Sequence, residues 1–417
     1  MSFASLGLAP ALLDAVAAIG YATPTAIQAA AVPAALQGRD VLGAAQTGSG
    51  KTAAFALPML HALLARQGTR RGLHGLVLVP TRELAAQVGD AIRALVQHLP
   101  STIKVSIAFG GVSINPQMMA LRGGTDIIVA TPGRLLDLAR HNAIKLDGVA
   151  TLVLDEADKL LDMGFADEIA EILALLPARR QNLFFSATFP TAVQSLAASL
   201  LQEPVRAQVD NDAAHEPDIA QRAIEVDAPR RLQLLKHLIR EHGWKQVLVF
   251  TATKYASEHV ADKLRRNDVA AEAFHGDFSQ GARTGVLADF RAGRLHVLVA
   301  TDVAARGIDI AQLPVVVNFD LPRAAADYTH RIGRTGRAGA SGSAISFVTP
   351  DAEAHFRLIE KRQGLRVPRE RIAGFEPVEA DTESLTGAPA ADPNGGIKGK
   401  RKSKKDKLRE AAAKQPA

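Results

Sequence analysis

The 417-residue sequence contains no cysteine, and this absence excludes several kinds of chemistry. Without thiolates the chain cannot form disulfides, ligate zinc or an iron–sulfur cluster through cysteine, or use a thiol nucleophile. A cysteine-free composition also fits a reducing compartment, so we expect a cytoplasmic protein.

Long apolar runs are absent too. Residues 15–38 carry no charge, but prolines and polar side chains interrupt them, whereas a membrane span needs about 20 mainly apolar residues. The N-terminal letters MSFAS lack the basic region of a signal peptide. We therefore expect neither a membrane segment nor a signal peptide. Hydrophobic residues make up 47% of the chain, which excludes a wholly disordered protein.

The positive net charge of +6 is concentrated at one end of the chain. Residues 398–417 contain nine Lys or Arg and two acidic residues, a net charge of +7, so the preceding part carries −1. Nucleic-acid binding by the globular part therefore cannot be inferred from its net charge.

Short apolar runs that end at polar clusters predict parallel strands buried on both faces. A first set lies at residues 76–79, 127–129, 152–154 and 183–185, and a second at 247–250, 297–300 and 315–319. Helical patterns separate the runs. This alternation predicts an α/β fold with two tandem domains, each a mainly parallel sheet flanked by helices, with ligands beyond the carboxyl ends of the strands.

Composition also predicts the domain boundaries. A polar, non-periodic stretch separates the two sets of strands and reads as a linker. We expect a first domain at 1–207, a linker at 208–218, a second domain at 219–375 and a disordered tail at 376–417. The tail is acidic and then basic, and neither part can bury enough apolar area to offset the entropy of ordering.

The letters AQTGSGKT at residues 45–52 nearly match a phosphate-binding loop, with Ala45 where the strict pattern has glycine. Glycines allow backbone N–H groups to surround phosphate oxygens at a helix N-terminus. Lys51 is then placed to reach the β- and γ-phosphates, and the Thr52 hydroxyl to bind Mg²⁺. The alternative is a chance Gly-Lys-Thr in an ordinary loop.

Acidic residues close a predicted strand at 155–158. Asp155 is suited to hold Mg²⁺ through water, and Glu156 to polarise an attacking water as general base. Such residues can also be solvated turn residues, but a phosphate loop upstream in the same α/β unit favours a catalytic role.

The letters DEAD at 155–158, together with other ordered motifs, resemble the DEAD-box ATP-dependent RNA helicases of superfamily 2. These motifs are GYATPTAIQ at 20–28 with Phe3 upstream, PTREL at 80–84, GG at 110–111, TPGR at 131–134, SAT at 186–188, and the segments 247–251, 280–283, 300–309 and 330–337. The segments 110–117 and 299–309 look most like the bacterial RhlE-type branch. The resemblance covers residues 3 to about 375 and implies two RecA-like domains.

The implied activity is RNA-stimulated ATP hydrolysis coupled to local, sequence-independent unwinding or remodelling of RNA duplexes and RNA–protein complexes. ATP and Mg²⁺ are the implied cofactors and RNA the implied partner, for a chain expected to be a monomer. By resemblance, Gln28 reads the adenine edge, Phe3 stacks on the base and Asp309 holds the ribose. The residues expected at the nucleotide are Phe3, Tyr21, Thr23, Gln28, Ala45, Gln46, Thr47, Gly48, Ser49, Gly50, Lys51, Thr52 and Asp309.

The implied catalytic residues come from both domains. His330 and Arg334 resemble partners of Glu156 around the attacking water, and Lys51 acts on the phosphates. Arg337 resembles an arginine finger, a group that contributes a factor of about 10³–10⁵ in rate. A site divided in this way is complete only when the domains close. Residues 330–337 could otherwise be an ordinary phosphate-backbone patch.

Contacts to phosphates and 2′-hydroxyls hold RNA without reading its sequence. The residues expected there are Pro80, Thr81, Arg82, Gly110, Gly111, Thr131, Arg134, Thr251, Gln280, Arg283 and Thr301. Ser186, Thr188 and Asp158 are expected to couple hydrolysis to strand separation. The basic tail is expected to add affinity for RNA or ribonucleoprotein with strong salt dependence, the alternative being a solubilising terminus.

The sequence is also compatible with two other functions. A DNA-directed helicase of the same superfamily is disfavoured by the complete motif around Gln28 and by Asp158, where related branches often have histidine. A non-catalytic RNA-binding assembly factor is disfavoured because the sequence contains all of the expected catalytic residues Lys51, Glu156, Arg334 and Arg337.

Overall fold

The computed structural model describes residues 2–45, 49–66, 72–208, 219–305, 313–336 and 341–378. Residues 1–376 form one compact unit that contains both predicted domains, and the remaining residues form a second unit, of which only 377 and 378 are described. Some predicted positions lie outside the described residues: Gln46, Thr47, Gly48, Asp309, Arg337, almost all of the linker and nearly the whole tail.

The first domain contains a seven-stranded sheet in which every neighbouring pair is parallel. Its strands are β1 (Val41–Ala44), β2 (Gly75–Leu78), β3 (Val105–Ala108), β4 (Ile127–Ala130), β5 (Thr151–Leu154), β6 (Gln181–Ser186) and β7 (Val205–Gln208). Their order across the sheet is β3-β4-β2-β5-β6-β1-β7.

Helices cover both faces of this sheet. They are α1 (Pro10–Ala18), α2 (Ala26–Leu36), α3 (Lys51–Leu64), α4 (Arg82–Val96), α5 (Asn115–Leu121), α6 (Pro132–Arg140), α7 (Ala157–Asp162), α8 (Ala166–Leu175) and α9 (Thr191–Leu200). Alternate residues of β4 belong to different cores: Ile127 packs with α1–α4 on one face, and Ile128 with α6, α8 and α9 on the other. The strand is apolar throughout because both of its faces are buried.

The second domain repeats this plan. Its strands are β8 (Ile219–Glu225), β9 (Val247–Thr251), β10 (Ala271–Phe274), β11 (Val297–Thr301), β12 (Val315–Asn318), β13 (Gly342–Val348) and β14 (Arg369–Glu370). All neighbouring strands are parallel, in the order β10-β11-β9-β12-β13-β8-β14. The predicted α/β architecture with two parallel sheets is therefore confirmed.

The helices of the second domain are α10 (Arg231–Glu241), α11 (Lys254–Arg265), α12 (Gln280–Arg291), α13 (Asp302–Ala305), α14 (Ala325–Ile332) and α15 (Glu353–Gln363). Short 3₁₀ turns lie at Phe3–Leu6, Ala228–Arg230 and Pro350–Ala352. None of the helices in the described ranges is long and apolar enough to cross a membrane.

Parallel strands bring their carboxyl ends to one edge of each sheet. In the first domain this edge carries Ala45 after β1, Thr81 after β2, Thr131 after β4 and Asp155 after β5. In the second domain Thr251 and Thr301 end β9 and β11 as register partners. The fold therefore gathers predicted site residues that are distant in sequence.

Candidate active site

A buried ion pair lies at the carboxyl edge of the first sheet. Lys51 begins α3 and Asp155 follows β5, with 3.7 Å between Lys51 Nζ and Asp155 Oδ1. Burial raises the pKa of Asp155, although the Lys51 charge opposes this. The Glu156 N–H donates to Asp155 Oδ1 at 2.9 Å. A second cation here would offset the cost of keeping this carboxylate ionised away from water.

Lys51 Nζ is buried and has no hydrogen-bond partner among the residues that the structure describes. An ammonium group has three donors, and native proteins seldom leave such a group unsatisfied. Gly50, just before it, has φ +91°, and a Cβ there would lie 2.5 Å from Gln28 Nε2. The structure therefore presents unused positive hydrogen-bond donors beside a closely packed glycine, an arrangement that fits phosphate oxygens.

Gln28 connects the start of α2 to this loop. Its Nε2 donates to Gly50 O and its Oε1 accepts from Thr25 N–H, both at 3.0 Å. The second amide hydrogen and the second lone pair leave capacity to read a base edge. Phe3 is only 6% exposed and packs in the core, where it stacks on Tyr21 with ring centroids 6.4 Å apart. Thr23 and Tyr21 are exposed, so Tyr21 rather than Phe3 presents an accessible ring.

Glu156 lies buried in a left-handed backbone conformation with φ +53°. Lys159 Nζ donates to Glu156 Oε2 at 2.8 Å, and this lysine is buried as well. Burial favours the neutral acid, but the charges of Lys159, Lys51 and Arg334 outweigh it and lower the pKa of Glu156 to about 2. Lys159 was missed in the sequence, where its only signal was a spacing of three residues from Glu156.

A residue of the second domain acts on this carboxylate through its charge. The charge of Arg334 contributes to the low pKa of Glu156 and opposes the charged form of Lys159. Burial and the nearby Lys159 charge lower the pKa of His330, so its imidazole is neutral at neutral pH. Arg334 of the second domain thus acts on Glu156 and Lys159 of the first, and Lys159 acts on His330 of the second. The direct partnership of His330 with Glu156 stays a prediction.

The three residues expected to couple hydrolysis to RNA form one hydrogen-bonded cluster. Asp158 Oδ2 accepts from Thr188 Oγ1 at 2.8 Å and from Thr188 N–H at 3.0 Å. The Asp158 N–H donates to Ser186 Oγ at 3.2 Å, and Ser186 Oγ donates to Thr188 O at 2.7 Å. Movement of the start of α7, which directly follows Glu156, is therefore tied to the segment at 186–188.

A cavity of about 220 Å³ lies between the two sheet edges. It brings together six of the predicted RNA residues, Pro80, Thr81, Arg82, Gly110, Thr131 and Arg283. The cavity is also lined by Glu83, Val303 and Ala304, which belong to the motifs at 80–84 and 300–309 but had no individual role, and by three residues that the sequence had not indicated, Met163, Phe165 and Gly276. Both domains therefore contribute to one cleft.

Arg283 was expected to be accessible to RNA phosphates, but its side chain is only 4% exposed. Its Nε donates to Glu83 Oε1 of the first domain at 2.7 Å, and Nη1 donates to His275 O at 3.2 Å. The guanidinium also lies 4.3 Å from the ring centroid of Phe274. A desolvated arginine needs such partners, so Arg283 connects the domains in this structure.

The remaining predicted RNA residues lie near the same edges. Arg134 is buried and donates through Nη2 to Val112 O at 2.7 Å. Gly111 has φ +78°, and a Cβ there would lie 2.7 Å from Arg82 Nη1. Thr251 is fully buried and Thr301 is 9% exposed.

Unsatisfied buried polar atoms are concentrated at predicted ligand positions. Within the described ranges, five buried side-chain atoms have no hydrogen-bond partner, and four of them belong to Lys51, Arg134 and Gln280. The fifth is His275 Nδ1, next to the cavity residue Gly276. Such gaps in an otherwise satisfied protein call for an external partner, here one rich in oxygen acceptors and hydroxyl groups.

Comparisons with known proteins agree with this geometry. The DEAD/DEAH box helicase family model matches residues 25–196, and the helicase conserved C-terminal domain model matches 230–339. The chain is 41% identical over 368 residues to the DEAD-box ATP-dependent RNA helicase CshA of Bacillus cereus, covering 88% of this chain and 69% of that one.

The chain is also 42% identical over 411 residues to the ATP-dependent rRNA helicase rrp3 of Emericella nidulans, covering 96% and 87% of the two chains. Among solved structures, S. cerevisiae Dbp5 bound to RNA and ADP BeF3 matches with a TM-score of 0.78 and 32% identity, over 89% of this chain and 95% of that one. The two domains are therefore RecA-like. The chain belongs to the DEAD-box ATP-dependent RNA helicases and is an ATP-hydrolysing RNA helicase.

Proposed function

We propose that RNA held across both domains completes the ATP site, so that binding of RNA and hydrolysis of ATP occur in the same closed form. The observation that carries this proposal is the buried contact between the domains, in which Arg283 Nε donates to Glu83 Oε1 at 2.7 Å. The charge of Arg334, from the second domain, also favours the ionised form of Glu156 in the first. Neither domain alone contains the full set of charges. Catalysis therefore depends on their contact.

The residues of the first domain bind and orient the triphosphate. Lys51 directs its unsatisfied ammonium at phosphate oxygens, which also meet the N-terminus of α3. Thr52 and Asp155 hold Mg²⁺, which when bound neutralises phosphate charge. Gln28 recognises the base beside Tyr21. The assigned roles of Thr23, Gln46, Thr47, Gly48, Ser49, Gly50 and Asp309 are part of the same proposal, whereas Phe3 supports the ring of Tyr21 from the core.

Glu156 orients the attacking water and accepts its proton. Its low pKa makes it a weak base but keeps it ionised, and Lys159 fixes Oε2 so that the carboxylate has a defined orientation. His330 and Arg334 complete the surroundings of the water. Arg337 stabilises the charge that develops on the transferred phosphoryl group.

The cavity between the sheet edges holds RNA phosphates and 2′-hydroxyls without reading bases. Thr81, Thr131 and Gly110 offer small polar surfaces, and Arg134 and Gln280 offer buried groups in need of partners. Pro80, Arg82, Gly111, Thr251 and Thr301 are assigned to the same path. Arg283 acts by joining the domains through Glu83. The Asp158–Thr188 contact transmits the state of the ATP site to residues 186–188.

Finer assignments belong to the same proposal. The segments 110–117 and 299–309 support placement in the RhlE-type branch, and the polar stretch at 208–218 supports domains at 1–207 and 219–375. A monomeric, cytoplasmic enzyme fits the composition. The DNA-directed and non-catalytic alternatives are not favoured by relatives that are ATP-dependent RNA helicases.

The proposal is tested by measuring ATP hydrolysis with single-stranded RNA and with DNA of the same length and sequence. RNA should stimulate the rate and DNA should not, because recognition relies on 2′-hydroxyls as well as phosphates. Equal stimulation by both nucleic acids would revive the DNA-directed alternative, and no stimulation by either would revive the non-catalytic one.

The basic tail is proposed to attract RNA electrostatically. Seven Lys or Arg among residues 398–407 can neutralise several phosphates. Truncation after Gly396 should weaken RNA affinity and flatten its dependence on salt, while turnover at saturating RNA stays unchanged. The measurement is a salt titration of RNA binding. An unchanged slope would assign the tail to solubility alone.

A further inference from the structure

One aromatic side chain is left on the surface at the edge where RNA is expected. Aromatic residues make up only 5% of this chain. Among the Phe, Tyr and Trp side chains in the described part, only Tyr21 and Tyr255 are exposed, by 42% and 78%. Tyr21 lies at the proposed ATP site. Tyr255 has no role in any of the motifs above, and an aromatic ring so accessible to water requires an explanation.

Tyr255 lies in the first turn of α11, at the carboxyl edge of the second sheet. The chain leaves β9 at Thr251, and Thr253 caps α11 by accepting from Ala256 N–H at 3.1 Å. Lys254 forms an ion pair with Asp277, which directly follows the cavity residue Gly276. This ion pair thus connects the start of α11 to the edge of the proposed RNA cleft.

The ring of Tyr255 is held by a second ring. Tyr255 and His259, one helical turn apart, stack with centroids 6.1 Å apart and planes inclined by 17°. His259 is also exposed. Side chains separated by four residues lie on the same helix face, so the pair forms a flat, fixed surface. Little additional ordering is then needed when a planar ligand stacks on it.

The charges around this pair disfavour a phosphate as its ligand. Lys254 is paired with Asp277, and Glu258 Oε1 lies 2.9 Å from His275 Nε2. Both of these charged neighbours of the rings therefore already have partners. Stacking of a base requires no such charge, since every nucleobase has a flat aromatic face.

We propose that Tyr255, supported by His259, stacks on a base of the RNA strand as it leaves the cleft. The site extends RNA binding beyond the backbone contacts and tolerates any base. The proposal rests on the RNA path proposed above, since that path passes the end of β9 and the loop at Gly276.

The test compares wild type with Tyr255→Ala and Tyr255→Phe, and uses Leu358→Ala as a control because Leu358 is a 48% exposed side chain of α15. Binding is measured with single-stranded oligouridine and with an abasic strand of equal length. Tyr255→Ala should weaken binding to oligouridine by about five- to a hundredfold, while Tyr255→Phe and Leu358→Ala remain near wild type. On the abasic strand Tyr255→Ala and wild type should bind equally, with the same salt dependence on both strands.

Two results would overturn the stacking site. One is binding of oligouridine by Tyr255→Ala as tightly as by wild type, which would leave the ring for another partner such as a protein. The other is an equal loss on base-containing and abasic strands, which would indicate a general structural effect. In both cases wild type still binds RNA and hydrolyses ATP in response, whereas failure of the proposed function removes that response in wild type itself.

Discussion

Glu156→Gln is expected to lower the RNA-stimulated turnover of ATP by a factor of about 10²–10⁴, the usual contribution of a positioned general base. Glutamine keeps the size of the side chain and can still accept a hydrogen bond from Lys159, which lies 2.8 Å from Glu156 Oε2. It cannot accept a proton from water. ATP binding should therefore be nearly unchanged, and the loss should appear in kcat rather than in KM.

The matched control is Asp167→Asn, which removes a carboxylate from the exposed surface of α8. It should hydrolyse ATP as wild type does. Thermal unfolding of both variants establishes that they are folded. Retention of most turnover by Glu156→Gln would show that another group accepts the proton, and a parallel loss of ATP binding would point to a binding role for Glu156.

Glu83→Gln is expected to raise the RNA concentration needed for half-maximal ATP hydrolysis by about 30-fold or more. The reason is the 2.7 Å contact between Glu83 Oε1 and Arg283 Nε, which joins the domains in a setting where both side chains are at most 10% exposed. Removing one partner of a buried, hydrogen-bonded charge pair at an interface costs about 2–5 kcal/mol, because the other charge remains unpaired. The substitution therefore destabilises the closed form, in which the two domains are in contact, and more RNA is needed to populate it.

A double-mutant cycle tests whether Glu83 and Arg283 act through their contact with each other. Arg283→Gln should have an effect similar to that of Glu83→Gln, and the double variant should lose far less than the sum of the two. The control is Glu171→Gln, which breaks an exposed ion pair with Arg140 at 2.8 Å. Exposed pairs contribute about 0–1 kcal/mol, so this control should behave as wild type. Additive losses would show that Glu83 and Arg283 act separately.

The strands and the first-domain motifs could be predicted from the sequence because local pattern determines them. β4 reads as an apolar run since alternate side chains enter two different cores. The proximity of Asp155 and Lys51 could be predicted because the strands that precede them are parallel and end at one edge of the sheet. The cluster of Ser186, Asp158 and Thr188 follows from the same geometry, with two adjacent strands ending side by side.

The contacts that were missed depend on how distant surfaces dock. Glu83 and Arg283 are 200 residues apart, and nothing in either motif reveals that they meet. Arg283 was expected near phosphates because an arginine in a helicase motif suggests that role, yet burial leaves its guanidinium to protein partners. Phe3 was expected on a base, but its ring is covered by the first-domain core. Side-chain burial of this kind is a property of the assembled fold.

The coupling of RNA and ATP through domain contact is tested most directly by measuring RNA affinity with and without a non-hydrolysable ATP analogue. Because coupling between two ligands is reciprocal, and is typically about 5- to 150-fold, the analogue should tighten RNA binding by at least about tenfold. In Glu83→Gln most of this gain should disappear. Equal RNA affinity in the presence and absence of the analogue, in a wild-type protein that binds both ligands, would contradict the account.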